Sequence, residues 1–178
     1  RDLRMSRGLG DVYKRQFHEF FESEGLPTDQ VKVFNDEYQI RLGDKAFFCD
    51  HGDELVKRLK ATVKQYAVTN GTTVAQERKL RFSGLDQLLD GVFISEQVGV
   101  DKPQKAFFDA VWNEIGSYAP DEVVIVGDSL TSDIRGGKNA GILTCWYNPD
   151  HLPNKIEVTP DCTIDNLQDI LSYLDESR

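Results

Sequence analysis

Short apolar runs alternate with amphipathic stretches along most of the chain. The runs that suit buried strands lie at residues 65–69, 91–95, 123–127, 142–147 and 162–164. Between them, apolar positions recur with helical spacing, as in Phe107, Val111 and Ile115. Strands that alternate with helices are typical of a parallel sheet covered by helices on both faces. The pattern therefore predicts an α/β fold.

Residue types that begin and end helices support this order. Thr73 with Gln76 forms a capping-box pattern after the first strand. Asp101 and Pro103 favour the start of the next long helix, and Gly141 favours the end of the helix before the fourth strand.

The first 49 residues differ from this pattern. Residues 17–49 predict a helical hairpin, in which Phe17, Phe20 and Phe21 share one stripe and Val31 begins the stripe of the second helix. The aromatic spacing favours packing between helices over a ligand pocket. No binding residue is predicted in the hairpin.

Residues 1–16 show neither helical nor strand periodicity. They carry five basic and two acidic residues, a composition that would also fit a basic arm or a transit peptide. The segment resembles translated adapter sequence at the end of a gene fragment. We therefore expect residues 1–16 to be non-native or unstructured.

Composition narrows the functional class. The net charge of -9 would repel a nucleic acid polymer, and no apolar stretch approaches the roughly 20 residues needed to cross a membrane. The three cysteines form no pair at metal-ligand spacing, which favours a reducing compartment over a disulfide framework. We expect a cytoplasmic protein that binds a small ligand.

Two carboxylates follow the third predicted strand. Asp128 comes directly after the apolar run 123–127, and Asp133 lies five positions later. Ligands collect at the carboxyl ends of strands in open α/β sheets, and carboxylates are ligands for a hard cation such as Mg²⁺. One of the two acids could instead cap a helix, but Ser129 already offers a cap. The pattern favours a Mg²⁺ site formed by Asp128 and Asp133.

Two other strand ends carry groups suited to a phosphate. Thr69, Asn70 and Gly71 lie between a strand and a helix, where a hydroxyl and backbone amides can bind phosphate oxygens. Lys102 lies in a strand-to-helix loop and can neutralise phosphate charge. A plain Asn-Gly turn and a solvent-exposed lysine are the structural alternatives.

Taken together, these motifs resemble the second, third and fourth motifs of the haloacid-dehalogenase (HAD) superfamily of hydrolases. The matching segments are Thr69-Asn70-Gly71, Lys102-Pro103, and Gly127-Asp128-Ser129 through Asp133. Residues 94–103, 136–141 and 144–149 are most similar to the pyrimidine 5'-nucleotidase branch. The resemblance implies a Rossmann-like core over residues 50–178 and a partial helical cap domain over residues 17–49.

The resemblance also implies a mechanism. An aspartate attacks phosphorus to form an aspartyl-phosphate, which water then hydrolyses, so that the protein is a Mg²⁺-dependent phosphomonoesterase for nucleoside 5'-monophosphates. Thr69 and Asn70 would hold phosphate oxygens, Lys102 would balance charge, and Asp128 with Asp133 would position Mg²⁺.

The first motif of the family, a strand that ends in Asp-x-Asp, has no counterpart in this sequence. No two aspartates are separated by a single residue, so the nucleophile and the acid/base aspartate are missing. We expect a fragment that is truncated at its N-terminus and is inactive alone.

Three other functions remain open. The first is a non-catalytic protein that binds a phosphorylated ligand through the same contacts. The second is a phosphatase for a sugar phosphate or phosphoglycolate, because the motifs recognise only phosphate and metal. A phosphoacceptor signalling domain fits less well, since residues 44–68 offer no apolar strand that ends in an acceptor aspartate.

Overall fold

The computed structural model describes residues 9–116 and 118–176. The helices are α1 Leu9–Ser23, α2 Val31–Gly43, α3 Gly52–Leu59, α4 Thr73–Ser83, α5 Ser95–Val98, α6 Lys105–Ile115, α7 Arg135–Ala140 and α8 Ile170–Glu176. The strands are β1 Tyr66–Thr69, β2 Gly91–Ile94, β3 Val124–Gly127, β4 Leu143–Tyr147 and β5 Cys162–Ile164. A single π-helical turn, Leu130–Ile134, precedes α7. None of the helices in the described residues has the length and apolar character needed to span a membrane.

All strand pairings are parallel, which confirms the predicted α/β class. β1 pairs with β2, and β4 lies between β3 and β5. The strands thus form a two-stranded and a three-stranded sheet, where the alternating pattern suggested a single one. Each sheet lies within one of two compact units.

The two units are formed by separate parts of the chain. The first unit contains the described residues up to Phe47 together with Thr62–Asp101, and the second contains Phe48–Ala61 and the residues from Lys102 onward. The helical hairpin thus shares its unit with β1 and β2. The predicted boundary between a cap domain and a core, near residue 49, stays a prediction.

Aromatic side chains pack the hairpin of α1 and α2. The ring of Phe17 lies 4.9 Å from that of Phe34 and 5.1 Å from that of Tyr38, both edge to face. The ring of Phe21 lies 5.4 Å from Phe34. Edge-to-face pairs at these distances stabilise packing beyond the burial of area. The prediction that these aromatics are packing residues is confirmed.

Helix α1 begins at Leu9, so the expectation that residues 1–16 are unstructured is wrong for residues 9–16. The alternative, that the segment is non-native, stays a prediction. Tyr13 extends the aromatic stripe by one helical turn, because its ring stacks on Phe17 at 6.5 Å and lies 5.8 Å from Tyr38. The i, i+4 spacing of Tyr13 and Phe17 is the signal that the sequence reading missed. Residues 1–8 lie outside the described residues.

Two helix starts also differ from prediction. The N-cap of α4 is Thr72, not Thr73, because Thr72 has extended backbone angles and its hydroxyl accepts the Ala75 N–H at 3.4 Å. Helix α6 begins at Lys105, after Pro103 rather than with it. The C-cap prediction is confirmed, since Gly141 ends α7 with φ +76°.

Glycines bring α7 close to the second sheet. A Cβ atom on Gly137 would lie 2.5 Å from Cγ2 of Ile125 and 2.6 Å from Cγ2 of Thr144. A Cβ on Gly136 would lie 2.7 Å from the ring of Phe108. These distances confirm that the Gly-Gly pair serves close helix packing and is not a phosphate loop. The absence of a side chain at Gly137 lets α7 lie directly against β3 and β4.

The register of β4 and β5 brings two cysteines together. Cys145 is the strand partner of Cys162, with their Cα atoms 4.6 Å apart, and the two form a disulfide. The expectation of unpaired cysteines was wrong here, because the pairing depends on strand register rather than on sequence spacing. Cys49 is a free, exposed thiol.

A hydrogen bond ties the start of the second unit to β4. The Tyr147 hydroxyl donates to Oδ2 of Asp50 at 2.7 Å, and this bond, with burial, raises the pKa of Tyr147 to about 12. The stability that the bond contributes is present below the ordinary tyrosine pKa of about 10. It is lost progressively as the pH rises from about 10 to about 12.

We predict that Gly137→Ala destabilises the protein by about 1–3 kcal/mol, because the added methyl group meets two core side chains that cannot move away. The measurement is the urea unfolding midpoint. Gly52→Ala is the matched control, since its Cβ would meet Leu167 at an ordinary 3.5 Å. Equal midpoints for the two variants would contradict the close contact of α7 with the sheet.

Candidate active site

The turn after β3 carries Asp128 at the end of a partly buried strand. Gly127 is required there, because a Cβ atom at this position would lie 2.5 Å from the carboxylate of Asp133. The Asp128 side chain is exposed, while its backbone carbonyl accepts the indole N–H of Trp146 at 3.0 Å. The backbone of the turn is therefore held while the carboxylate faces outward.

Asp133 lies in the π-helical turn and is 8% exposed. Its Oδ2 accepts the backbone N–H of Ser129 at 3.2 Å, and its Oδ1 lies 2.6 Å from Nζ of Lys102. Ser129 caps the turn itself, since its hydroxyl accepts the Ser132 N–H at 3.2 Å. Asp133 is thus not merely a helix cap, and the cap prediction for Ser129 is confirmed.

Lys102 is 8% exposed. The reading of a solvent-exposed lysine is therefore wrong. Its ammonium forms a buried ion pair with Asp133 across 31 positions of sequence. Desolvation of two charges is costly, so such a pair persists only with good geometry and further hydrogen bonds. The bond from Ser129 to the same carboxylate supplies one of these.

The donor set fits a Mg²⁺ ion in its chemistry. Mg²⁺ is usually held by one or two carboxylates, with water and substrate phosphate as the other ligands. Both oxygens of Asp133 already accept hydrogen bonds, whereas the exposed Asp128 carboxylate projects from the same turn. Within the described residues, no group of three or more His, Cys, Asp or Glu side chains could hold a metal. Of the two carboxylates predicted to hold the cation, Asp128 is thus the one that is exposed to solvent.

The Thr69-Asn70-Gly71 segment lies in the first unit, where Thr69 is the last residue of β1. The Thr69 hydroxyl lies 3.5 Å from the Asn70 carbonyl, which is at the long limit for a hydrogen bond. The Gly71 N–H donates to the Ser95 hydroxyl at 3.1 Å, and a Cβ on Gly71 would lie 2.6 Å from Nε2 of Gln76. The Gly71 amide predicted to bind phosphate is thus already bonded, and Gly71 serves the close turn.

The first turn of α4 is held by side chains that the sequence reading missed. Glu96 accepts the Thr73 N–H at 2.8 Å, and Gln39 accepts the Thr72 hydroxyl at 2.7 Å. Ser95 and Glu96 directly follow β2, so their place at a strand end was a usable signal. Gln39 gave no signal, because its contact depends on how α2 packs against α4.

The structure thus joins some of the predicted site residues. Lys102 contacts Asp133, and Asp128 shares their turn, all within the second unit. Thr69, Asn70 and Gly71 form a separate loop of the first unit. His18, His51 and His151, which the sequence left without a role, take part in exposed contacts with acidic side chains.

Comparison with known families gives one match that spans most of the chain. The profile of the haloacid dehalogenase-like hydrolases matches residues 6–141. The match covers the Thr69 loop, Lys102 and the Asp128 turn. It begins inside the segment over residues 1–16 that the sequence reading set aside.

Individual relatives agree with this match. The chain is 43% identical over 168 residues to the pyrimidine 5'-nucleotidase PynA of Streptococcus pneumoniae, covering 94% of the chain and 70% of the relative. It is 36% identical to the pyrimidine 5'-nucleotidase YjjG of Escherichia coli over 67% of the chain and 53% of that protein. The crystal structure of the HAD-hydrolase YfnB of Bacillus subtilis bound to magnesium superposes with a TM-score of 0.76 at 30% identity, over 93% of the chain and 81% of that structure.

We predict that Lys102→Met lowers the free energy of unfolding by about 3–5 kcal/mol, because it leaves the Asp133 carboxylate buried without its cation. Urea unfolding measures the change. Lys105→Met is the control, since Lys105 pairs with Asp109 on an exposed face, where loss of a pair costs about 1 kcal/mol or less. A similar, small effect of both variants would mean that the buried pair does not hold the turn.

Proposed function

The chain belongs to the haloacid dehalogenase-like hydrolases, and we propose that its function is that of a Mg²⁺-dependent phosphomonoesterase that acts on nucleoside 5'-monophosphates. The single observation that carries the proposal is the buried pair of Lys102 and Asp133 beside the exposed Asp128 carboxylate. A cation, a fixed carboxylate and an outward carboxylate at a strand end are the groups that phosphoryl transfer needs for charge balance.

Each residue has a proposed role. Asp128 and Asp133 would hold Mg²⁺, and Asp133 also orients Lys102 and holds the turn through Ser129. Lys102 balances the charge of the phosphate and of an attacking carboxylate. When bound, Mg²⁺ supplies charge neutralisation for the phosphoryl group.

The phosphate contacts are proposed for the Thr69 loop. The Thr69 hydroxyl and the Asn70 amide hold phosphate oxygens, while Gly71 permits the tight turn that presents them. The weak contact of the Thr69 hydroxyl with its own chain supports this, because little is lost when a phosphate oxygen replaces it.

The nucleophile is proposed to come from outside these 178 residues. An aspartyl-phosphate intermediate requires an aspartate aligned with the phosphorus atom, and the sequence contains no Asp-x-Asp pair. The chain alone is therefore proposed to bind substrate without turnover.

The substrate class rests on relatives. PynA and YjjG are pyrimidine 5'-nucleotidases, which supports UMP or CMP as substrate for this chain. A sugar phosphate is the second candidate. The chain is also 36% identical to the glyceraldehyde 3-phosphate phosphatase of Methanopyrus kandleri, over 62% of this chain and 48% of that protein.

We predict Mg²⁺-dependent binding of UMP to the purified chain, measured by isothermal titration calorimetry. Asp128→Asn should weaken binding by roughly tenfold or more, because it removes the proposed cation ligand. Asp121→Asn, at another exposed aspartate of the second unit, should bind like the parent chain. No phosphate release from UMP is expected for any variant.

Three outcomes would contradict the proposal. UMP binding with the same affinity in the presence and absence of Mg²⁺ would exclude a role for the metal in binding. Tighter binding of glyceraldehyde 3-phosphate than of UMP would favour a sugar phosphate as substrate. Turnover that disappears in Asp128→Asn would show that the nucleophile lies within these 178 residues.

A further inference from the structure

Trp146 lies next to the Asp128 turn, within the segment 144–149 but outside the three motifs that supply the predicted site residues. It is the residue of β4 that pairs in register with Gly127 of β3, and it is 7% exposed. Its indole N–H donates to the Asp128 carbonyl at 3.0 Å. The strand register thus places the indole of Trp146, near the end of β4, beside the peptide that follows Asp128 after β3.

This bond acts on the backbone of Asp128 and leaves the side chain free. The carbonyl of Asp128 belongs to the peptide that joins it to Ser129, so the bond fixes the direction in which the turn leaves β3. The Ser129 N–H of the same peptide donates to Asp133 at 3.2 Å. Both polar groups of this one peptide are therefore held, one by Trp146 and the other by Asp133.

A simpler explanation is that a buried tryptophan needs an acceptor for its N–H. That explanation makes the bond a matter of stability alone. A role in positioning differs in one respect. It requires that Mg²⁺ binding changes the surroundings of the indole N–H through the Asp128 peptide, and that loss of this N–H weakens Mg²⁺ binding.

We infer that Trp146 is a positioning residue of the Mg²⁺ site, holding the Asp128 peptide so that the exposed carboxylate points toward the cation. The inference rests on the proposed function, since it assumes that Asp128 binds Mg²⁺. Preorganised ligands bind a metal more tightly because they lose less freedom on binding.

The chain offers a spectroscopic test, because it has two tryptophans. Trp112 lies on α6 and is half-buried. Chain labelled with ¹⁵N at its tryptophan indoles gives one N–H signal for each, and Trp112→Phe identifies the signal of Trp146. Titration with Mg²⁺ alone should move the Trp146 signal to saturation and leave the Trp112 signal in place.

The matched variant is Trp146→Phe, which keeps a buried ring and removes the donor. It should weaken Mg²⁺ affinity, measured by calorimetry, by roughly tenfold, the low end of the loss expected when a group that orients a metal ligand is removed. Trp112→Phe should keep the parent affinity. A purely structural role would lower the melting temperature of Trp146→Phe and leave its Mg²⁺ affinity unchanged.

The outcomes distinguish failure of the inference about Trp146 from failure of the proposed Mg²⁺ site. A saturable Mg²⁺ response in the parent chain, with unchanged affinity in Trp146→Phe, overturns the inference alone. If Trp146→Phe does not fold, the parent titration still decides, because a Trp146 signal that stays fixed while calorimetry detects Mg²⁺ binding overturns it as well. Absence of any Mg²⁺ binding by the parent chain contradicts the proposed metal site itself.

Discussion

The buried ion pair of Lys102 and Asp133 is the contact on which the candidate site depends. Neither charge could remain at 8% exposure without the other, because an unpaired buried charge is far more costly than a paired one. The pair also joins the loop before α6 to the turn before α7. Through the second oxygen of Asp133 it reaches the Ser129 amide, so this carboxylate and the indole of Trp146 together hold the peptide that follows Asp128.

Close packing around two glycines supports the ion pair of Lys102 and Asp133. Gly127 leaves room for the Asp133 carboxylate, and Gly137 lets α7 lie directly against Ile125 and Thr144. Both glycines are explained by the space that they leave rather than by unusual backbone angles. The result is a short turn with buried supports and a single exposed carboxylate, an arrangement suited to binding a cation from solvent.

Local patterns predicted the strands to within one residue, because a short apolar run bounded by turn residues has few other uses in an α/β chain. They also predicted the Gly141 cap and the polar residues at the ends of β1 and β3, whereas Lys102, predicted in a strand-to-helix loop, follows the short helix α5. What the sequence did not reveal depends on tertiary contacts: the indole bond of Trp146, the Cys145–Cys162 partnership and the contact of Gln39 with Thr72 all depend on register or helix packing. Helix α1 was placed too late because the local i, i+4 spacing of Tyr13 and Phe17 was overlooked.

The central claim is that the Asp128 turn binds a divalent cation while the pair of Lys102 and Asp133 remains intact. The most direct measurement is a crystal structure of the chain grown with Mn²⁺ in place of Mg²⁺, with anomalous data that locate the ion. The account predicts an anomalous peak at about 2.1–2.2 Å from an Asp128 carboxylate oxygen, near the distance expected for a small divalent cation, with Lys102 still bonded to Asp133. A peak elsewhere in the chain, or no peak at Asp128 at saturating Mn²⁺, would contradict it.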